Sequence, residues 1–142
     1  KELKFVIDKL EESKKQSPND LKSLMNLIQT YSIYGSYEPD AISKAVKYAK
    51  EAKKIAPHHQ YGYWMLAQLY TYQEKYDKAL SNAKQAVEMQ PAVPRSQLMY
   101  IQTAMQAGKT ELAREQAIKA SKISPEIKKQ IEKMFGTSTD NL

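Results

Sequence analysis

Four columns of residues recur in this chain at a fixed separation of 34 positions. Three columns are alanine and one is proline. The members are Ala45, Ala79 and Ala113; Ala49, Ala83 and Ala117; Ala52, Ala86 and Ala120; and Pro57, Pro91 and Pro125. Within a segment the alanines lie at i, i+4 and i+7, on one stripe of a helix, where small side chains let a neighbouring helix approach closely. The proline ends each helix because it has no N–H. The columns therefore predict stacked helices.

The stretch 60–91 shows the repeated unit most clearly. Its first helix, predicted over 60–73, carries an apolar face made of Tyr63, Leu66, Ala67 and Tyr70. Polar residues at 73–75 form the turn, and a second helix is predicted over 77–90. The order and spacing resemble a tetratricopeptide (TPR) repeat, a helix–turn–helix unit of 34 residues. The resemblance implies an all-α fold, an α-solenoid of antiparallel helix pairs in a right-handed superhelix, with about eight helices.

The columns divide the chain into a single TPR-like domain over residues 1–135 and a flexible tail over 136–142. The expected segments are a half-repeat or cap helix (2–18), repeat 1 (19–57), repeat 2 (58–91), repeat 3 (92–125) and a capping helix (125–135). Because the chain begins at Lys1 and not at Met, we expect a segment of a longer protein. Some positions depart from the family pattern. Among them, Gln97 replaces the family's usual aromatic residue in the first helix of repeat 3.

Repeat 1 is five residues longer than repeat 2. From Leu24 to Pro57 the count is 33, whereas from Tyr63 to Pro91 it is 28. We expect the five extra residues in the turn over 33–40, where Gly35 and Pro39 interrupt the helical pattern. Asn19 or Asp20 is expected to cap the helix before this turn, and Pro39 suits the first turn of the helix after it.

Composition excludes several classes of function. There is no Cys, so disulfides, thiol catalysis and cysteine-bound zinc are absent, and no run of 18 apolar residues could span a membrane. The net charge is +6. Lysine carries almost all of the positive charge, whereas arginine is the usual residue for bidentate recognition of phosphates and bases. Binding of nucleic acid is therefore disfavoured. The compartment, cytoplasmic or extracytoplasmic, stays open.

No arrangement of residues predicts catalysis. Gly108-Lys109-Thr110 matches the end of a phosphate-binding loop, but the first glycine of that motif would fall at Thr103, inside a helix. Gly108 is better explained as the residue that closes a helix. His58 and His59 are adjacent, so their side chains diverge, and no carboxylate lies at ligand spacing. We therefore expect no enzyme activity, no metal and no cofactor.

The first helix of each unit carries the candidate binding residues. In TPR arrays, the face of this helix that is turned away from its partner lines a concave groove. The resemblance implies a peptide-binding groove lined by Met25, Gln29, Tyr61, Trp64, Gln68, Tyr72, Arg95, Leu98, Gln102 and Met105. Three glutamines hold equivalent places in the three units. They are either a ladder of amides for an extended peptide or simply exposed helix formers. With Arg95 as the only cation, a groove for a chaperone's C-terminal carboxylates is not expected.

The sequence thus favours a module that binds a peptide or helix of another protein, with Trp64 as the anchor. One alternative is a scaffold or self-associating segment of a larger protein, such as a membrane-anchored cell-envelope protein. A weaker alternative is binding of nucleic acid or anionic surfaces through the lysines of one helix. Those lysines are Lys44, Lys47, Lys50, Lys53 and Lys54. The partner's identity and the oligomeric state stay open.

Overall fold

The computed structural model describes all of residues 1–142 and is helical throughout, with no strand. Its α-helices are α1 (Glu2–Gln16), α2 (Leu21–Tyr34), α3 (Pro39–Ile55), α4 (Tyr61–Tyr72), α5 (Tyr76–Met89), α6 (Pro94–Gln106), α7 (Thr110–Ser121) and α8 (Pro125–Phe135). A short 3-10 helix, Thr139–Asn141, follows. The predicted all-α class and the number of helices are confirmed. The chain divides into two compact units, residues 1–69 and 70–142, and the boundary lies within α4.

The alanine columns mark the most deeply buried positions of both units. All nine alanines are at most 1% exposed, three on α3 in the first unit and three each on α5 and α7 in the second. In the first unit α3 packs on α2, and in the second α6 packs on α5 and α7. Because alanine has no side chain beyond Cβ, these helices approach closely. The predicted packing stripe is confirmed.

In the first unit the helix ends follow the expected local chemistry. Asp20 caps α2, since its carboxylate accepts the backbone N–H of Ser23 at 3.0 Å and the Ser23 hydroxyl at 2.6 Å. Pro39 occupies the first turn of α3. On α1 the apolar residue Val6 is exposed. The buried residue of α1 is Ile7, which faces the rest of the unit.

The five extra residues of repeat 1 do not all lie in the turn, which corrects our expectation. Aligned on Leu24 and Tyr63, α2 runs one residue further than α4. The turn 35–38 has one residue more than the turn 73–75. Aligned on Ala45 and Ala79, α3 begins three residues earlier than α5. A helical turn added to α3 satisfies backbone hydrogen bonds, which an extended loop would leave to water.

In the second unit, left-handed backbone conformations shape two equivalent turns. Gly108 has φ +74°, and Glu74, 34 positions earlier, has φ +59°. Gly108 follows α6, so the prediction that it closes a helix is confirmed. Glycine adopts this conformation freely, whereas a residue with a side chain is strained there. The last helix, α8, is capped by the Ser124 hydroxyl and fully buries Ile127 and Ile131.

The tail after Gly136 is folded, contrary to our expectation of a flexible segment. Thr139 is buried, and its backbone N–H and hydroxyl donate to the Glu132 carboxylate at 3.0 and 3.3 Å. The backbone hydrogen bond from Thr139 lowers the pKa of Glu132. Through these bonds the 3-10 helix packs against α7 and α8. A short polar segment can therefore be held by one carboxylate acceptor that the sequence pattern does not reveal.

Candidate functional site

In the first unit the N-terminus of α4 lies very close to α3. A Cβ on Gly62 would meet the backbone nitrogen of Lys53 at 2.8 Å, so only glycine allows this approach. Nearby, the Lys53 Nζ lies 4.6 Å from the centroid of the Tyr63 ring, and burial lowers the pKa of Lys53. These contacts hold α4 in place and so orient the residues that follow on it, including Trp64.

Tyr61 occupies a different place from the one we expected. Its side chain is 5% exposed, and its hydroxyl donates to the backbone carbonyl oxygen of Met25 at 3.3 Å. The ring therefore joins α4 to α2 and presents little aromatic surface to a partner. A helical projection gives the direction in which Tyr61 points from the axis of α4. It does not show that α2 lies in that direction. The groove assignment of Tyr61 as an exposed aromatic residue is corrected accordingly.

The other predicted residues of the first unit reach the surface to different degrees. Met25 and Trp64 are half-buried, whereas Gln29 and Gln68 are exposed. Exposed amides offer both a donor and an acceptor. The first unit thus presents an apolar residue and an amide on each of α2 and α4.

In the second unit, three predicted residues line one open depression of about 520 Å³ on α6. The complete lining is Val93, Pro94, Arg95, Leu98, Met99, Gln102 and Gln130. The aliphatic residues of the lining, which we call its floor, are Val93, Pro94, Leu98 and Met99, and the polar residues are Arg95, Gln102 and Gln130. This combination of apolar area with a few hydrogen-bonding groups is typical of sites that bind a ligand. Of the remaining predicted residues in this unit, Met105 and Tyr72 do not line the depression but are 42% and 61% exposed.

Sequence reasoning missed the contribution of α8 to this depression. Gln130 lies on α8, which we interpreted only as a capping helix, and Met99 on α6 was not among the predicted groove residues. One signal was present: α8 continues the repeat register, since Ile131 follows Gln97 by 34 positions. In this register α8 takes the place of the first helix of a further repeat. Such a helix is expected beside α6, and Gln130 lies on it.

One lining residue of the depression is a cation, and a carboxylate outside the lining is bonded to the lining amide of Gln130. Arg95 stands on α6 and is exposed. On α8 the Gln130 Nε2 donates to the Glu126 carboxylate at 3.3 Å, which holds an acidic group beside the amide. A cation on one helix and an anion on the next can orient the ends or side chains of a bound peptide, because the reversed orientation would bring like charges together.

A half-buried carboxylate in the first unit has a structural role. Glu11 on α1 accepts hydrogen bonds from the hydroxyls of Tyr31 at 2.7 Å and Tyr48 at 2.6 Å. Burial, followed by the hydrogen bond to Glu11, raises the pKa of both tyrosines. The phenols stay protonated and act as donors, so this cluster fastens α1 to α2 and α3. Lys14 adds an ion pair with Glu51 at 3.0 Å.

The lysines of α3 are partly engaged with aromatic rings. The Nζ atoms of Lys44 and Lys47 lie 5.4 and 5.7 Å from the ring centroids of Tyr31 and Tyr48. Such cation–π contacts stabilise a surface helix by about 0.5–1 kcal/mol each. Together with the contact of Lys53 described above, three of the five lysines thus have a structural role. These contacts favour a structural role for the lysines over binding of nucleic acid or anionic surfaces.

No group of three or more His, Asp or Glu side chains is arranged to hold a metal ion. None of the eight α-helices combines the length and apolarity needed to cross a lipid bilayer.

Comparison with known proteins concerns the fold. No protein-family model and no curated protein matches the sequence. Among solved structures, TTC0263, a thermophilic TPR protein of Thermus thermophilus, superposes with a TM-score of 0.74 at 18% identity, over 89% of this chain and 70% of that one. The chain has a TPR-like fold.

Two further structures share the TPR-like fold. MamA superposes with a TM-score of 0.73 at 16% identity, over 97% of this chain and 81% of that one. A MamA double mutant, described as RS-1 ArsTM, superposes with a TM-score of 0.67 at 19% identity, over 87% of this chain and 67% of that chain. At these identities the likeness extends to the fold alone, because one TPR-like scaffold serves many partners.

Proposed function

We propose that this chain is a non-enzymatic interaction module that binds a peptide or helix of another protein. The observation that carries the proposal is the depression on α6, where Leu98 and Met99 form an apolar floor between polar groups. An apolar side chain of the partner would bury on this floor, while Arg95 and Gln130 would bind its polar groups. The TPR-like fold supports a role in binding proteins.

The first unit supplies a second contact surface of the same kind. Trp64 on α4 is half-buried, and Gln68 one turn later is exposed. Interface hot spots are enriched in tryptophan because a large ring excludes water from its surroundings. We therefore propose Trp64 as the aromatic anchor of this unit and Leu98 as the aliphatic anchor of the other.

The proposal can be tested with peptides selected from a random library against the intact chain. The affinity of each selected peptide is then measured by calorimetry for the wild type and for Leu98→Asp. A carboxylate on the apolar floor should weaken binding about 30-fold, which corresponds to roughly 2 kcal/mol for loss of a hot spot. Gln106→Asp is the matched control, since it places the same charge at an exposed position of the same helix that does not line the depression.

Two results would contradict the proposal. One is a library that yields no peptide above background at any stage of selection. The other is a set of peptides that bind Leu98→Asp as tightly as the wild type while circular dichroism shows both proteins folded. In either case the depression on α6 would not be the binding surface.

Self-association is a second candidate, favoured by exposed apolar side chains in the first unit. The large exposed residues on α1 and near the end of α2 are Phe5 (64%), Val6 (44%), Ile33 (60%) and Tyr37 (77%). Leu3, Ile33 and Tyr37 line one shallow depression together. Apolar patches of this kind mark interaction surfaces more often than single apolar residues do.

Analytical ultracentrifugation tests this candidate. Concentration-dependent association of the wild type should be lost in the double variant Phe5→Glu, Ile33→Glu. It should persist in Ile55→Glu, which alters another exposed residue of the same unit. A wild type that stays monomeric at millimolar concentration would exclude it.

A further inference from the structure

Gln97 takes over the role that a tyrosine plays in the preceding repeat. The Tyr63 hydroxyl donates to the carbonyl oxygen of Pro57 at 2.9 Å. Gln97, 34 positions later, donates its Nε2 to the carbonyl oxygen of Pro91 at 2.8 Å. Both side chains are buried, and both bind the proline that ends the preceding helix. The hydrogen bond is thus preserved, but the aromatic ring that accompanies it in Tyr63 is missing at Gln97.

A crevice of about 210 Å³ lies at Gln97, on the far side of α6 from the depression described above. Gln97 and Gln102 are five residues apart, so they point about 140° apart around the helix. The crevice is lined by Lys84, Val87, Glu88, Pro91, Gln97, Tyr100, Gln116, Lys119 and Ile123. Val87, Pro91, Tyr100 and Ile123 contribute apolar surface to the same lining as the Gln97 amide. A cavity of about 150 Å³ suffices for benzene in another protein, so one six-membered ring fits here.

Hydrogen-bonding groups in the crevice suit a phenol. The Gln97 Oε1 already accepts from the Gln116 Nε2 at 2.6 Å, and the Gln97 Nε2 keeps a second hydrogen. The carbonyl oxygen of Pro91 likewise keeps a second lone pair. A phenolic hydroxyl placed near them can donate to the Pro91 carbonyl oxygen, as the Tyr63 hydroxyl donates to Pro57 in the preceding repeat. The same hydroxyl can accept the second hydrogen of the Gln97 Nε2.

We propose that this crevice binds a single phenol-sized aromatic ring, and that Gln97 provides the space for it. The ring would come either from a small free phenol or from a tyrosine side chain of a peptide. The ring would pack between Val87, Tyr100 and Ile123. The site is independent of the peptide-binding depression, since the two share no lining residue.

The test uses nitrogen-15 NMR of the intact chain. p-Cresol and N-acetyltyrosinamide are titrated in parallel, with N-acetylleucinamide as an aliphatic control, and the side-chain NH₂ signals of Gln97 and Gln116 are followed. We expect p-cresol to shift both signals saturably. Gln97→Tyr fills the crevice with the residue found at position 63, and it should weaken binding at least tenfold. Gln106→Tyr adds a tyrosine at an exposed position of the same helix and should leave binding unchanged.

The outcomes separate the two sources of the ring. Saturable shifts with both aromatic compounds support a peptide tyrosine, whereas shifts with p-cresol alone support a small free phenol. Three results would overturn the proposal: no saturable shift with either aromatic compound, equal shifts with the leucine compound, or unchanged binding by a folded Gln97→Tyr variant.

Discussion

Replacing Gln97 by leucine should destabilise the second unit while leaving its shape almost unchanged. Gln97 is 1% exposed and makes two side-chain hydrogen bonds, to Pro91 at 2.8 Å and from Gln116 at 2.6 Å. Each such bond contributes about 0.5–1.5 kcal/mol net. Leucine is close to glutamine in size, so no large cavity adds to the loss. The expected cost is therefore about 2 kcal/mol in the free energy of unfolding.

Urea denaturation followed by circular dichroism measures this cost. Gln106→Leu makes the same chemical change on the exposed surface of α6 and should alter stability by no more than about 0.5 kcal/mol. Gln97→Tyr should recover about half of the loss, because its hydroxyl can bind Pro91 as Tyr63 binds Pro57 but does not replace the bond from Gln116. Equal stabilities for Gln97→Leu and Gln106→Leu would refute the reasoning, since water would then be replacing both buried hydrogen bonds at no cost.

Four further predictions concern packing, backbone strain, pH and binding. Ala83→Leu, at a fully buried helix crossing, should lower the free energy of unfolding by about 1–3 kcal/mol in urea melts. Glu74→Gly should raise it by about 0.5–1 kcal/mol, because relief of left-handed strain outweighs the added chain entropy. The pKa values of Tyr31 and Tyr48 are raised, so their stabilisation is present below about pH 10 and lost above it. In the double variant Tyr31→Phe, Tyr48→Phe, the midpoint of urea denaturation should therefore fall less above pH 10 than it does in the wild type. Trp64→Ala should weaken binding of a selected peptide by about 2 kcal/mol. It should lower the free energy of unfolding by less than the roughly 3–5 kcal/mol expected for a core residue, and a larger loss would assign Trp64 to the core.

Much of the fold could be predicted because its signals are local. A helix repeats every 3.6 residues, so alanines at i, i+4 and i+7 share a stripe whatever surrounds them. The same holds for Asp20 as a cap and Gly108 at a helix end, since both act on backbone groups within a few positions. The fixed separation of 34 then relates the helices of one repeat to those of the next.

The candidate site depended more on neighbours than on pattern. Leu98 and Gln102 were predicted from their side of α6, and the structure brings both to one depression. Gln130 was not predicted as a site residue, because it lies on α8, and the sequence pattern of α8 indicated only a capping helix. Tyr61 was assigned to the surface, yet α2 covers it. A periodic pattern gives directions around one axis and contains no information on which direction another helix occupies.

By itself the sequence determined the helical class, the repeat length and the buried alanine stripes, because each follows from spacing along a single helix. Only the tertiary structure decided that Thr139 is held by Glu132 and that Gln97 binds the carbonyl of Pro91. Those contacts join groups six or seven residues apart across a turn. Such a contact forms only where the packing of the helices brings a donor within about 3 Å of an acceptor, and no periodicity encodes that distance.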